Sequence, residues 1–306
     1  MDQHNLIIIL GATASGKTKL AVQVAHALNG EIISADSRQV FKSMDIGTGK
    51  DLQEYSIEGT AIPHHLIDIL EPGDRYHVDA FKNDFYEAFK QISNRNKMPI
   101  LCGGTGMYIH SLLQNQTFTA VPVNQALRDQ LELLSKEELV LKLQNNPNQN
   151  TLHVDLSSKK RLMRALEIAA YLKDNVLETV ERPILKPIIF GLKNEVEVTR
   201  AKILARLNER FQAGLIEEVQ QLLQSGISKE MLIFYGLEYK FVVNYLDGLL
   251  TLTELKLRLG IAICQYAKRQ NTFFRKMEKD NVDIIWLNAS APANQLKQLI
   301  LQKVSV

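Results

Sequence analysis

The run LIIIL, residues 6–10, passes without a break into GATASGKT, residues 11–18, and then into KLAVQVAHAL. Five consecutive apolar residues with no polar alternation read as a strand buried on both faces, and the segment after Thr18 has the apolar spacing of a helix. Between them, Gly11, Gly16, Lys17 and Thr18 satisfy G-x-x-x-x-G-K-[ST] in the strand, loop, helix context that the pattern requires. The two glycines let the backbone curl so that N–H groups from Gly11 through Ala12, Thr13, Ala14, Ser15 and Gly16 face one anion. The following helix adds its positive end, Lys17 a point charge, and Thr18 a hydroxyl for Mg²⁺. The loop alone predicts a bound polyphosphate, such as that of a nucleotide, at the carboxyl end of an interior strand.

The same rhythm recurs. EIISA, HHLIDIL, PILCGG, PIIFGL and VDIIWLN are short β-rich runs between helical patterns, which predicts an α/β fold with a mostly parallel sheet covered on both faces. We therefore expect a P-loop nucleoside-triphosphate-hydrolase-like core. Its first part spans residues 1–113. Residues 114–156 carry helical patterns and no strand, with an Asn/Gln-rich end, and are expected to be a small all-helical insertion. Residues 157–306 are expected to complete the core and add a basic helical C-terminal region. From Glu195 to Gln224 the apolar positions keep helical spacing, with Arg206 and Arg210 one turn apart on one side.

Net charge is only +2, which excludes a protein basic all over, yet the charge is uneven. Between Lys256 and Lys279 the cations Lys256, Arg258, Lys268, Arg269, Arg275, Lys276 and Lys279 face a single acid, Glu278, as an anion-binding surface requires. The run Leu6–Leu10 falls far short of the roughly 20 residues of a membrane span, and no charged leader precedes it, so a cytoplasmic protein without a membrane partner is expected. Cys102 and Cys264 have no Cys-x-x-Cys or His cluster beside them and are read as reduced, buried thiols.

Familiar uses of the loop fit poorly. No Asn-Lys-x-Asp guanine signature occurs, and PILCGG ends in Gly103-Gly104-Thr105 without the acid that supports Mg²⁺ and an attacking water in ATPases. Asp36 in EIISADSRQVF, by contrast, falls at the end of a strand, beside the ligand crevice of an open α/β sheet. With Ser37 and Gln39 it forms a polar cluster able to accept a proton and read hydrogen-bonding edges.

Taken together, GATASGKT, ISADSRQVF, MDIGTGK, HHLIDI, LCGGTGMYI, KRLMRALEI and YAKRQNTFFR resemble the tRNA dimethylallyltransferase (IPP transferase) family in order and spacing, from about residue 5 to about residue 276. The resemblance implies transfer of a dimethylallyl group from dimethylallyl diphosphate to the exocyclic amine of the adenosine 3′ of the anticodon, in tRNAs reading codons that begin with U. It implies Asp36 as general base, Thr105 and Arg210 with Lys17 and Thr18 on the diphosphate, and Mg²⁺ as cofactor. It places Asp36, Ser37, Arg38 and Gln39 at the target base. Lys160, Arg161, Leu162, Met163 and Arg164, with Lys268, Arg269 and Gln270, fall on the tRNA side, the partner being an anticodon stem-loop. The enzyme is expected to be a monomer. Tyr266, Phe273 and Phe274 are candidates for stacking on bases, with core packing the favoured reading.

Four positions depart from the family pattern. Ile263-Cys264 stand where Thr-Arg is common, Phe273 where Trp is common, and Glu238 where Gly is common. Three alternatives remain open on sequence: an adenylate isopentenyltransferase acting on free AMP, ADP or ATP, an ATP-dependent small-molecule kinase, and an RNA-binding protein with an inactive loop.

Overall fold

The computed structural model describes residues 4–114, 116–146, 156–178 and 180–304. The chain divides into a larger unit, Met1–Gln114 with Pro183–Val306, and a smaller one, Asn115–Arg182. The larger unit opens with β1 (Leu6–Gly11), α1 (Lys17–Leu28), β2 (Gly30–Ser34), a hairpin of β3 (Ser56–Ile57) and β4 (Thr60–Ala61), β5 (His64–His65), α2 (Val78–Asn94), β6 (Met98–Gly103) and α3 (Gly106–Leu113). The smaller unit holds α4 (Gln125–Glu132), α5 (Lys136–Gln144) and α6 (Lys159–Asp174). The larger unit resumes with β7 (Pro187–Lys193), α7 (Val196–Gln212), α8 (Leu215–Gln224), α9 (Lys229–Tyr235), α10 (Leu237–Leu246), α11 (Leu252–Lys279), β8 (Ile285–Asn288) and α12 (Ala293–Val304).

All six apolar runs become strands of one sheet, in the order β5-β2-β6-β1-β7-β8, and every pairing is parallel. β1 lies inside, with Ile8 opposite Leu101 of β6 on one side and Ile189 of β7 on the other. Its lack of polar alternation now has a physical meaning. Leu6, Ile8 and Leu10 join Phe81, Phe85, Tyr108 and Phe274 under α2, α3 and α11. Ile7 and Ile9 join Leu20, Val24, Leu296 and Ile300 under α1 and α12. Each such side chain contributes about 1.5–3 kcal/mol by leaving water. HHLIDIL yields only a two-residue strand, because Leu66 and Asp68 take left-handed conformations (φ 63° and 55°) that end the ladder.

Two sequence expectations change. The pattern from Glu195 to Gln224 is two helices, since Gly214 adopts φ 101° and starts α8 afresh. The apolar spacing runs through the break because both helices pack on the same core, so spacing alone does not reveal it. The helical excursion also continues past residue 156. α6 completes its interior, where Leu162, Met163 and Leu166 pack on Leu131, Leu139 and Leu143. In that small unit Glu167, with its side chain 1% exposed, accepts two bonds of 2.9 Å from Arg128, one of 2.7 Å from the Asn124 N–H, and one from Arg164. Burial opposes ionisation of Glu167, but the two arginines outweigh it and hold the carboxyl below its usual range. The Asn/Gln-rich end of the excursion lies largely outside the described residues.

Candidate active site

The phosphate loop leaves β1 at Gly11 and turns through two left-handed residues, Ala14 (φ 59°) and Gly16 (φ 82°), the second being the N-cap of α1. Gly11 has no room for a side chain, because a Cβ there would lie 2.7 Å from Ser15 Oγ and 3.1 Å from the Leu192 carbonyl oxygen. Lys17 opens α1 and folds back so that Nζ lies 3.4 Å from the Ala12 carbonyl. Burial pulls the Lys17 ammonium below its ordinary pKa, against the attraction of Asp36 among others. Ser15 Oγ is buried with no hydrogen-bond partner among the described residues. A half-buried cation and an orphaned hydroxyl beside a helix N-terminus are what an anion would complete.

The ends of β2 and β6 meet this loop. A Cβ on Gly103 would overlap the Ala35 carbonyl oxygen, so only glycine lets the two strand ends close. Asp36 follows β2 directly, and its Oδ1 accepts the Arg38 N–H at 2.8 Å and the Gln39 N–H at 3.4 Å, which fixes the turn and leaves the carboxylate beside the loop. Thr105 Oγ1 accepts the Ser37 N–H at 3.2 Å, tying the Gly103–Thr105 turn to the Asp36 turn. Gln39 donates from Nε2 to the Gly49 carbonyl at 3.0 Å, bringing in the MDIGTGK segment.

That segment is held from behind by a residue that sequence reading missed. Glu218 of α8 accepts the N–H groups of Asp45 (2.8 Å), Ile46 (2.6 Å) and Gly47 (2.9 Å), and the Tyr239 hydroxyl at 2.9 Å. A signal was present, for Glu218 occupies the apolar stripe of α8 beside Leu215, Val219 and Leu222, where an acid needs a reason. Gly49 then lies against Arg206 and Arg210, where a Cβ would overlap Arg210 Nη2 and come within 2.7 Å of Arg206 Nη2. Arg206 donates to the Gly49 carbonyl at 3.2 Å and pairs with Asp51. Arg210 Nη1 lies 3.2 Å from Glu238 Oε1. Burial raises the Glu238 carboxyl above its usual range, with Arg210 pulling the other way.

These pieces enclose one cavity of about 220 Å³, walled by Thr13, Lys17, Thr18, Asp36, Ser37, Arg38, Gln39, Arg206, Arg210 and Glu238. Thr105 stands behind the wall through its bond to Ser37. Cys102 also reaches it, with burial pushing its thiol up to about 12, so the sulfur is an inert thiol. Cys264 is only half buried. Among the described residues no cluster of three or more His, Cys, Asp and Glu could hold a metal ion. No helix there is long and apolar enough to cross a membrane.

The candidate RNA-facing residues separate into groups. The inward stripe of α11 includes Ile263, Ala267, Gln270 and Phe274, while Lys268 and Arg269 are exposed on its outer side. Gln270, grouped with Lys268 and Arg269 on sequence, is 9% exposed. Its Oε1 accepts the Thr13 N–H and its Nε2 donates to the Gly104 carbonyl, both at 2.9 Å, so it clips the phosphate loop to the Gly103–Thr105 turn instead of facing outward. Phe274 is fully buried, and Phe273 covers Gly106 so closely that a Cβ there would overlap its ring. Tyr266 lines the cavity, its hydroxyl pushed up to about 12 by burial. In the small unit Lys160 and Arg161 are exposed. Leu162 and Met163 are interior, which removes them from any direct surface contact. Arg164 is engaged by Glu167 and by the Phe118 and Val121 carbonyls.

A family profile described as IPP transferase matches residues 39–277, and one described as isopentenyl transferase matches residues 4–62. The chain belongs to the IPP transferase family. A family relative from Shewanella sediminis, tRNA dimethylallyltransferase 2, is 47% identical over 298 residues, covering 96% of this chain and 97% of that protein. The protein of the same name from Porphyromonas gingivalis is 48% identical over 298 residues, covering 97% and 98%. The solved structure of the full-length tRNA isopentenylpyrophosphate transferase from Bacillus halodurans is 31% identical with a TM-score of 0.71, covering 99% of this chain and 97% of that one. The IPP transferase match takes in Gln39, Arg206, Arg210 and Glu238 of the cavity and most of α11, while Lys17 and Asp36 fall within the isopentenyl transferase match.

Proposed function

We propose that this chain transfers the dimethylallyl group of dimethylallyl diphosphate to the exocyclic amine of the adenosine 3′ of the anticodon, in tRNAs reading codons that begin with U. The observation that carries the reading is that Asp36 and the cationic groups Lys17, Arg206 and Arg210 wall one cavity of about 220 Å³. One side of it suits an anion and the other a proton acceptor.

The allylic C–O bond breaks with negative charge gathering on the diphosphate. Loop N–H groups, Lys17 and Arg210 border the anion side of the cavity, where such preorganised donors would stabilise that charge. Thr18, which lines the cavity, would hold Mg²⁺ together with diphosphate oxygens. That sparse protein ligation is typical of magnesium bound mainly by substrate phosphates, and the ion would add leaving-group stabilisation. Thr105 steadies the turn that carries Ser37. An adenine amine loses a proton as it is alkylated, and the Asp36 carboxylate, fixed by the Arg38 and Gln39 N–H groups, accepts it. Ser37, Arg38 and Gln39 line the same wall and suit the edges of a base splayed out of a loop. Lys160, Arg161, Lys268 and Arg269 are assigned to the RNA backbone, and the enzyme acts as a cytoplasmic monomer.

The test is transfer from radiolabelled dimethylallyl diphosphate by the purified protein with Mg²⁺, offering unmodified tRNA and AMP in parallel, followed by nucleoside analysis. Label on adenosine in tRNA alone is expected. Label on AMP alone would move the acceptor to free nucleotides, and transfer to neither would reject the reading.

A further inference from the structure

Arg210 and Glu238 form an ion pair inside the cavity, with side chains 12% and 17% exposed. The pair is made at one point only, Nη1 to Oε1 at 3.2 Å. Arg210 Nε is buried with no partner among the described residues. The same two residue types meet quite differently in the small unit, where Arg128 grips Glu167 through Nε and Nη2, both at 2.9 Å. A bidentate grip through two parallel N–H···O bonds is the strong form of an arginine–carboxylate pair. One long contact beside an orphaned N–H is a pair that can be exchanged.

A guanidinium only 12% exposed needs a counter-charge, because leaving it unpaired is costly. A diphosphate in the cavity offers oxygens both for Nε and for the nitrogen that Glu238 holds. We infer that Glu238 is a displaceable counter-ion of Arg210, which compensates the guanidinium while the donor site is free, yields it to diphosphate, and reclaims it as the product diphosphate leaves. The inference rests on the reading that diphosphate occupies this cavity. Glu238 then works through Arg210 as a positioning residue that sets donor affinity and product release, weakening the first and speeding the second.

The experiment is calorimetric titration of the full chain with inorganic diphosphate and Mg²⁺, together with steady-state kinetics. Glu238→Gln keeps the shape and removes the charge, and Glu238→Ala guards against a new contact from the amide. Both variants, checked for native circular dichroism, are expected to bind diphosphate on the order of tenfold more tightly, the scale of one charge-assisted contact. They should lower KM for the donor and kcat together, as slowed product release does, whereas mere structural damage would raise KM. In an Arg210→Ala background the gain should vanish. Equal or weaker binding in both Glu238 variants, or a gain that persists without Arg210, overturns the inference. Lys17→Ala separates the two failures. If it leaves diphosphate affinity unchanged, the donor-site reading falls and the inference with it. If it weakens binding while the Glu238 variants do not strengthen it, only the counter-ion role is lost.

Discussion

Replacing Gln270 by Ala removes two hydrogen bonds of 2.9 Å, from the Thr13 N–H and to the Gly104 carbonyl. Each is worth about 0.5–1.5 kcal/mol net. Gln270 also borders the cavity, so water can reach the freed groups and the expected loss of stability is modest, about 1–2 kcal/mol. The larger effect is on the site, because Thr13 belongs to the loop whose N–H groups would hold the diphosphate. If about 1.4 kcal/mol of that ordering is lost to the donor complex, donor affinity falls roughly tenfold. Gln270→Glu should be worse, since it sets a carboxylate oxygen against the Gly104 carbonyl and a negative charge beside the anion site. The assay pairs thermal melting with donor titration and with the KM for tRNA measured at saturating donor. Donor affinity should drop in both variants while the KM for tRNA holds. A raised KM for tRNA with unchanged donor affinity would refute the clip and return Gln270 to the RNA-facing group.

Asp36→Asn keeps the shape but removes the proton acceptor, so single-turnover transfer should fall by about 10²–10⁴-fold while diphosphate binding stays largely intact; parallel loss of binding would reject this division of labour. Neutralising Lys268 and Arg269 should raise the KM for tRNA and flatten its dependence on salt, whereas an unchanged salt slope removes both from the RNA contact. Glu167→Gln should destabilise the small unit by about 3 kcal/mol, the scale for breaking a buried arginine–carboxylate pair, read as faster hydrogen exchange in α4 and α6 with the sheet unaffected. Because the Glu167 carboxyl is held below its usual range, its stabilisation is complete above the unfolded value of about 4.3 and is lost as pH falls through the folded value. Protection of α4 and α6 should therefore decline on acidification in the parent protein and change far less in the variant.

The parts of the molecule that sequence reading recovered are those in which one residue type has one physical use. Apolar-rich runs mark all six strands of the sheet, and the unbroken run of β1 marks a strand buried on both faces, while the edge strand β5 shrinks to His64–His65. Gly11, Gly16, Lys17 and Thr18 sit at fixed offsets because the loop is local. Asp36 was legible because strand ends of an open sheet border the crevice. What escaped depends on partners distant in sequence. Gln270 reads as one more polar residue in a basic run, and only the inward stripe of α11, with Phe274 and Ile263, turns it toward Thr13. Glu218 stands out in the apolar stripe of α8, but what holds it there, the three N–H groups of Asp45–Gly47, lies about 170 residues away. The end of the excursion was missed for a similar reason, since KRLMRALEI serves at once as a basic block and, through Leu162, Met163 and Leu166, as the third wall of a small core.

The position of β1 in the sheet also has a bearing on how the chain is made. Its two neighbours are β6 and β7, and the second begins only at Pro187, beyond the whole small unit. About 180 residues therefore separate the first strand from one of its two partners, which at roughly 5–20 residues per second is a delay of roughly 10–35 s during synthesis. Throughout that interval the most apolar strand of the protein has at least one edge with no mate, and both until β6 is made, and such an edge is a template for pairing with other nascent chains. The nascent chain is thus expected to depend on a holding chaperone until β7 emerges, and to aggregate when translation stalls within the small unit.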